Sequence, residues 1–374
     1  MMRRFFAIVA LALFMAALPG AAGAADRKVV VFDFIVERSR GYEWVGSALS
    51  EYAAAIVDSA QGFESVDRES VNRLLRRYGY GFNESSPFEV KDKIRIKLGG
   101  DIVVEGICRV GNGGMTLEGS IVDLEEGDIV SALDFRISNF DIFAAQKQLG
   151  ERMEKAFRMK IKSDTNLLLG TASKEAYEHF RKGKSLFEME VYEQAIDKLK
   201  KALEMDERFV EPYIVLGQAL MESAKPDAAK KNLERAVELS PAGFKAYFLL
   251  GMASFFMYDR EAAGRYFLKA ISLKDDDPDL HYRLGSLYYL ERDYDGAERE
   301  YKRALEIDPE MPEGWYGLAV LYSIRVDEKK TLEAVAKAVD AGGEKMQQRI
   351  RNDKDFDWLK TKKDFIWLVG REKE

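Results

Sequence analysis

Tyr213-Ile-Val-Leu-Gly217 and Trp315-Tyr-Gly-Leu-Ala319 are one pattern met twice: an aromatic ring, a leucine, then a small residue. Working outward from them, the small residue recurs every 34 residues as Gly183, Gly217, Gly251, Gly285 and Ala319. Twelve residues after each comes Ala195, Ala229, Ala263, Ala297 or Thr331, and seven later Ala202, Ala236, Ala270, Ala304 or Ala338. Between the last two series stands one large apolar residue: Leu199, Leu233, Phe267, Tyr301 or Val335. Small residues at such spacing let two antiparallel helices approach closely, and the large side chain fills the seam. Pro241 and Pro309 close helix pairs, where proline sacrifices no helical hydrogen bond. The pattern predicts five helix pairs over residues 174–342.

With the endings Ala236-Val-Glu-Leu-Ser-Pro241 and Ala304-Leu-Glu-Ile-Asp-Pro309, this pattern resembles the tetratricopeptide repeat family. The resemblance implies an all-α superhelical solenoid whose concave surface holds a partner, with no catalysis. In that family the first helix of each repeat lines the concave face, through residues three before, one after, and four or five after the glycine position. Carried over, these positions are Phe180, Lys184, Phe187 and Glu188, then Ile214, Gln218, Met221 and Glu222. The third repeat supplies Phe248, Met252, Phe255 and Phe256. The last two supply Tyr282, Ser286, Tyr289 and Leu290, then Tyr316, Val320, Ser323 and Ile324. Such a surface suits an apolar helix face or an extended hydrophobic segment. Family members that clamp a terminal carboxylate use several lysines, arginines and asparagines, and Lys184 alone does not make that clamp. The competing expectation is that the chain's own parts fill the groove.

Composition sets outer limits. A chain of 374 residues that is 47% hydrophobic has material for two cores. A net charge of −7 argues against nucleic acid or an anionic membrane as main partner, because both need a basic face. Cys108 is the single cysteine, so no intramolecular disulfide forms, and no cysteine–histidine cluster offers a zinc site.

Residues 1–25 read as a secretory signal: Arg3 and Arg4, an apolar run from Phe5 to Leu18, and small residues from Ala22 to Ala25. The run is shorter than the roughly 20 residues a spanning helix needs and ends in Pro19-Gly20. No cysteine lies near the cleavage site, which excludes a lipoprotein anchor. The expected location is a bacterial periplasm, with no membrane span after signal removal.

Residues 27–162 alternate strand-like and helix-like segments. Lys28 to Val36 reads as one buried strand. Trp44, Val45, Leu49, Tyr52, Ala53 and Ile56 recur at helical spacing, and a short strand at Phe63–Val66 precedes helices around Leu74 and from Val90 to Leu98. Asp101–Val110, Leu117–Leu124 and Ile129–Phe135 form a predicted meander with turns at Gly111–Gly114 and Glu126-Gly127. A helix from about Asp141 to Met159 closes the segment. The Val-Val-Phe-Asp-Phe opening, Tyr42-Glu-Trp44, Leu98-Gly-Gly-Asp-Ile-Val-Val-Glu-Gly106 and Ile121–Gly127 together resemble the amino-terminal domain of TolB and the CsgG-like periplasmic domains. That likeness implies an α/β fold with helices on a mixed sheet. TolB continues into a β-propeller, which this chain lacks, so propeller-mediated partners do not carry over.

Residues 163–173, with Leu167-Leu-Leu169, read as a connector. Gly342-Gly343 breaks the last helix, and the tail carries Phe356, Trp358, Leu359, Phe365 and Leu368, which suit a terminal cap over residues 343–374.

Candidates for chemistry have blander explanations. His179 and His281 occupy the repeat position of Tyr213, Tyr247 and Trp315, where a flat ring packs inside a helix pair. Cys108 shares a strand face with Ile102, Val104 and Val110. Gly111, Gly113 and Gly114 join two strands, whereas a dinucleotide fingerprint opens a helix. Asp275-Asp-Asp277 lacks the alternation and closing glutamate of a calcium loop. No catalytic set, metal site or cofactor is expected. The sequence reads as a non-enzymatic adaptor that holds an envelope protein or peptide, with homo-oligomeric self-assembly as the alternative.

Overall fold

A computed structural model describes residues 26–37, 41–77, 88–111, 113–158 and 170–370. The expected signal segment and Leu167–Leu169 lie outside the described residues. The chain divides into two compact units, Met1–Met189 with Glu204–Glu207, and Glu190–Leu203 with Arg208–Glu374.

The first unit contains β1 (Arg27–Val31), β2 (Ile35–Glu37), α1 (Trp44–Asp58), β3 (Phe63–Ser65), α2 (Arg68–Arg77) and α3 (Phe88–Leu98). Then come β4 (Ile102–Gly111), β5 (Gly114–Asp123), β6 (Ile129–Ala132), β7 (Phe135–Ile137), α4 (Ile142–Phe157) and α5 (Lys174–Glu188). The strands form one mixed sheet in the order β3-β1-β4-β5-β6, with β2 on β4 and β7 on β5. β1 is parallel to both β3 and β4, and β5 is antiparallel to its neighbours. Val29, Val30 and Val31 pair with Ile102, Val103 and Val104, and all are buried. Burial on both faces is why these strands read as continuous apolar runs. Val30 and Val103 pack with Val71, Leu75, Val90 and Ile94 of α2 and α3.

The single strand expected over Lys28–Val36 is two. Between β1 and β2 the Phe34 N–H leaves the ladder and donates to Ser50 Oγ of α1 at 2.8 Å. Gly46 of the same helix lies so close that a Cβ there would stand 1.9 Å from the Phe34 carbonyl oxygen. The third meander strand is likewise divided, at Leu133 and Asp134, where the Asp134 carboxylate accepts from the Gly119 N–H at 3.1 Å.

The second unit is built of helix pairs: α6 (Tyr192–Met205), α7 (Val210–Glu222), α8 (Pro226–Leu239), α9 (Phe244–Phe256), α10 (Arg260–Leu273), α11 (Pro278–Leu290), α12 (Tyr294–Ile307), α13 (Pro312–Ile324) and α14 (Glu328–Asn352). A 3₁₀ turn (Lys354–Leu359) and α15 (Lys363–Gly370) follow. Added Cβ atoms at Gly217, Gly251 and Gly285 would fall 2.6, 2.4 and 2.8 Å from the side chains of Leu233, Phe267 and Tyr301. The small residue and the seam-filling residue of repeats two, three and four therefore face each other.

The turn inside each pair repeats as strictly as the helices. Glu190, Ala224, Tyr258, Arg292 and Val326 all have φ between 55° and 63°. The N–H groups of Lys225, Asp259, Asp293 and Asp327 reach back to Leu220, Ser254, Tyr288 and Tyr322 carbonyls at 2.8–3.0 Å, the bond of a left-handed helix cap. Asp259, Asp293 and Asp327 then cap the next helix, accepting from Ala262, Gly296 and Lys330 N–H groups at 2.9–3.1 Å. Helix α14 runs on through Gly342, and only Gly343, at φ 62° and ψ −150°, leaves helical geometry.

Candidate functional site

Along the second unit, the positions assigned to the concave face change character between the third and fourth repeats. In repeats four and five they carry hydroxyls, and the carboxyl-terminal segment uses them. Tyr289 Oη donates to Asp355 at 3.2 Å, Tyr316 Oη donates to Asp353, and Ser323 Oγ donates to the Asp355 carbonyl. Trp358 Nε1 in turn donates to Ser323 Oγ at 2.8 Å. The Arg349 guanidinium lies 3.9 Å from the centre of the Tyr316 ring, and Phe356 meets that ring edge-on at 6.3 Å. Burial, with Asp355 beside it, pushes the Tyr289 phenol up to about 12, so it remains a donor at neutral pH. Tyr282 is buried against Tyr301 at 5.8 Å. Phe356, Leu359, Phe365 and Leu368 join one core with α13 and α14.

The equivalents in repeats two and three have no such hydroxyls. Ile214, Gln218 and Met221 are half-buried. Phe248, Met252 and Phe255 pack by one side on the cluster of Ala263, Phe267, Leu284 and Leu287. Phe256 stands 54% exposed beside Phe255, with ring centres 6.1 Å apart. Leu290 and Ile324 continue this exposed row one and two periods on.

The first-repeat candidates belong to the first unit. Phe180 is buried, Phe187 half-buried, and Lys184 is committed to an ion cluster centred on Glu51. Arg181 Nη1 meets Glu51 at 2.5 Å and its Nη2 meets Ser47 at 2.9 Å. Lys184 Nζ meets Glu51 at 2.6 Å, and Arg68 bridges Glu51 to Asp33. Burial alone would raise the Glu51 pKa, but Arg181, Lys184 and Arg68 hold it far below the usual carboxylate range. The Lys184 pKa is lowered as well: burial, with the Arg181 charge, outweighs what Glu51 restores. The Tyr177 ring joins α5 to α4, accepting from Gln146 Nε2 at 2.9 Å and meeting Phe143 edge-on at 5.5 Å.

The period assigns the inner positions, and it does not reveal Asp353, Asp355 and Trp358 as partners of three of them. The available signal was the change from Met221 and Phe255 to Tyr289 and Ser323, where hydroxyls replace apolar groups at one repeat position.

The groups considered for chemistry lie elsewhere. Cys108 is fully buried, and burial pushes its thiol up to about 12, which leaves no thiolate near neutral pH. Asp277 caps α11 by accepting from the Asp279 N–H at 3.0 Å. Among the described residues no group of three His, Cys, Asp or Glu side chains could hold a metal ion, and no helix is long and apolar enough to cross a membrane.

Three family models described as tetratricopeptide repeat match residues 214–255, 244–277 and 278–311. The chain contains tetratricopeptide repeats. No curated protein matches it. Among solved structures, the repeats are similar to MamA at 26% identity, covering 44% of this chain and 95% of that one with a TM-score of 0.40. They are also similar to YrrB, described as a tetratricopeptide protein with an unusual peptide-binding site, at 23% identity over 44% of this chain and 86% of that one, with a TM-score of 0.38. The Cut9–Hcn1 hetero-tetramer matches at 17% identity over 54% and 40%, with a TM-score of 0.47. Tetratricopeptide proteins bind protein partners, and the family is generally non-enzymatic.

Proposed function

We propose that this chain is a non-enzymatic adaptor of the bacterial periplasm whose tetratricopeptide repeats hold an apolar helix face or extended hydrophobic segment. In this reading residues 1–25 are a removed signal, residues 27–162 are a TolB- or CsgG-like domain that docks on one envelope component, and the repeats capture another. The observation that carries it is the uncovered apolar stretch of repeats two and three: Met221, Phe248, Met252, Phe255 and Phe256, with Phe256 more than half exposed. An exposed aromatic beside a polar rim is a common anchor of protein recognition. The occupied concave positions Tyr282, Tyr289 and Tyr316 support a role in shaping the end of that stretch.

One observation favours self-assembly as the second reading, since a segment of this same chain already fits the inner face of repeats four and five. Affinity capture from a bacterial envelope extract separates the two. The adaptor reading expects a partner retained by the natural chain and by Leu268→Gln, an exposed residue on α10, and lost with Phe256→Gln. A partner set unchanged in Phe256→Gln removes the groove from consideration. Concentration-dependent sedimentation without a partner supports self-assembly, and fractionation of the cell tests the location.

A further inference from the structure

His281 and Trp315 stand one repeat period apart, in the first turns of α11 and α13. Trp315 Nε1 donates to the Pro309 carbonyl oxygen at 2.8 Å. His281 Nε2 lies 3.0 Å from the Asp275 carbonyl oxygen, and Asp275 and Pro309 are themselves one period apart. An indole N–H only donates and a carbonyl only accepts. In the fifth repeat this place is filled by an N–H, and in the fourth His281 Nε2 must carry a proton to donate to the Asp275 carbonyl in the same way. The other ring nitrogen, Nδ1, lies 2.8 Å from the carboxylate of Glu300, where the fifth repeat has Ala334. Both nitrogens of a buried ring thus face acceptors, and only the imidazolium donates to both.

We propose that His281 is a proton-operated clip of the fourth repeat, tying the Asp275 turn to α12 when the ring is charged and releasing one of its two ties when the proton leaves. Trp315 makes the corresponding turn bond one repeat later and has nothing to titrate. The clip sits at the start of α11, the helix that carries Tyr282 and Tyr289, and it stands whether or not the uncovered stretch binds a partner.

The electrostatic balance agrees with the geometry. Burial disfavours the charged ring, but the Glu300 hydrogen bond, the Asp275 carbonyl and the Glu300 charge outweigh it. Arg303, also on α12, opposes them, and the net result lies above the ordinary histidine value. A raised folded-state pKa sets the sign. The stabilisation is complete below the unfolded value of about 6.5 and is lost as pH rises through the higher folded value. The fourth repeat should loosen on the alkaline side.

Imidazole ¹⁵N NMR of the full chain tests this, because His179 and His281 are its only histidines. His281→Gln assigns the signals. In the natural protein the His281 ring should show both nitrogens protonated on the acid side of its titration, and that titration should be displaced upward from the ordinary histidine value. Glu300→Gln should lower that titration by about one pH unit, a roughly tenfold change in proton affinity. Hydrogen-exchange protection of residues 274–280, corrected for intrinsic rates, should fall by about tenfold across the titration, while the turn before Trp315 stays level. A neutral single tautomer at pH 6, a titration unmoved by Glu300→Gln, or protection that ignores pH would each overturn the clip.

Discussion

The positions that the repeat period assigns to the inner face carry different chemistry in the two halves of the array. In repeats four and five Tyr289, Tyr316 and Ser323 present hydroxyls, and Asp353, Asp355 and Trp358 of the same chain engage them. In repeats two and three the equivalent positions hold Met221, Phe248 and Phe255, with Phe256 more than half exposed beside them. An isolated phenol or hydroxyl loses water when covered and needs a partner in exchange, so polar positions suit a tethered segment with fixed registry. Apolar positions demand area more than registry, which suits a separate molecule arriving in one of several poses. The difference teaches that one helical scaffold can assign its inner face in parts, with the side chain at a single repeat position deciding which part stays open.

The largest blow to this contrast is to empty the filled half. Phe356 is fully buried against Tyr316 and Phe365, and Phe356→Ala should cost about 4 kcal/mol through lost transfer energy and a residual cavity. Hydrogen exchange should show the loss in α13, α14 and α15 first, with the turns of repeats two and three keeping their protection. Equal loss through all the repeats would mean that the tail supports the whole array and that the halves are not separable.

Lys184, the first-repeat candidate, sharpens the comparison from the other unit, because it too is committed to its own chain. Glu51→Gln removes the anion that Arg181, Lys184 and Arg68 share, leaving the buried Arg181 without its countercharge. Breaking a buried ion group in this way costs about 3 kcal/mol, read by urea denaturation. A loss below about 0.5 kcal/mol, the scale of an ordinary surface substitution, would mean that water or Asp33 replaces the carboxylate. Lys184 would then not be held by Glu51 alone.

How far the sequence carries one toward this contrast depends on the kind of signal. Gly217, Gly251 and Gly285 disclose the helix pairs because a Cβ there would collide with the seam, so only small residues serve. The left-handed turns were invisible, since Ala224, Tyr258, Arg292 and Val326 are not glycines. Their conformation is imposed by the returning N–H bond, joined after Tyr258, Arg292 and Val326 by a capping aspartate, and these offset a penalty of roughly 1–2 kcal/mol. The break between β1 and β2 was hidden for a similar reason: Phe32 and Phe34 are as apolar as a strand, and the cause, Ser50, lies in the following helix. The period assigns inner positions, but the engagement of Tyr289, Tyr316 and Ser323 depends on Asp353 and Asp355, which lie far away in sequence and look like solvent-facing charges.

Tyr289→Phe converts one inner position of the fourth repeat into its third-repeat equivalent, Phe255. It deletes a single hydrogen bond to Asp355 and leaves the ring in place. A bond to a charged acceptor that is half open to water contributes about 1 kcal/mol. Denaturation should show that loss, with the Trp358 environment perturbed in near-ultraviolet circular dichroism. No change in either would mean that the tail is held by its buried rings alone, and that the hydroxyls do not distinguish the two halves.

Phe256→Gln should change stability least and function most. The side chain ends α9 and is 54% exposed, so its replacement opens no cavity and buries no polar atom. Surface changes of this kind fall within about 0.5 kcal/mol. Glutamine keeps much of the length and adds no charge beside the negative end of the helix, where an anion would itself be destabilising. An unchanged melting curve together with loss of the captured partner assigns the energy to recognition and leaves the fold out of the explanation. A melting curve lowered by 2 kcal/mol or more, the scale of a core truncation, would instead mean that Phe256 is a buried residue of the solenoid in solution. The open half would then be closed, and the contrast between the two halves would reduce to two ways of packing one core.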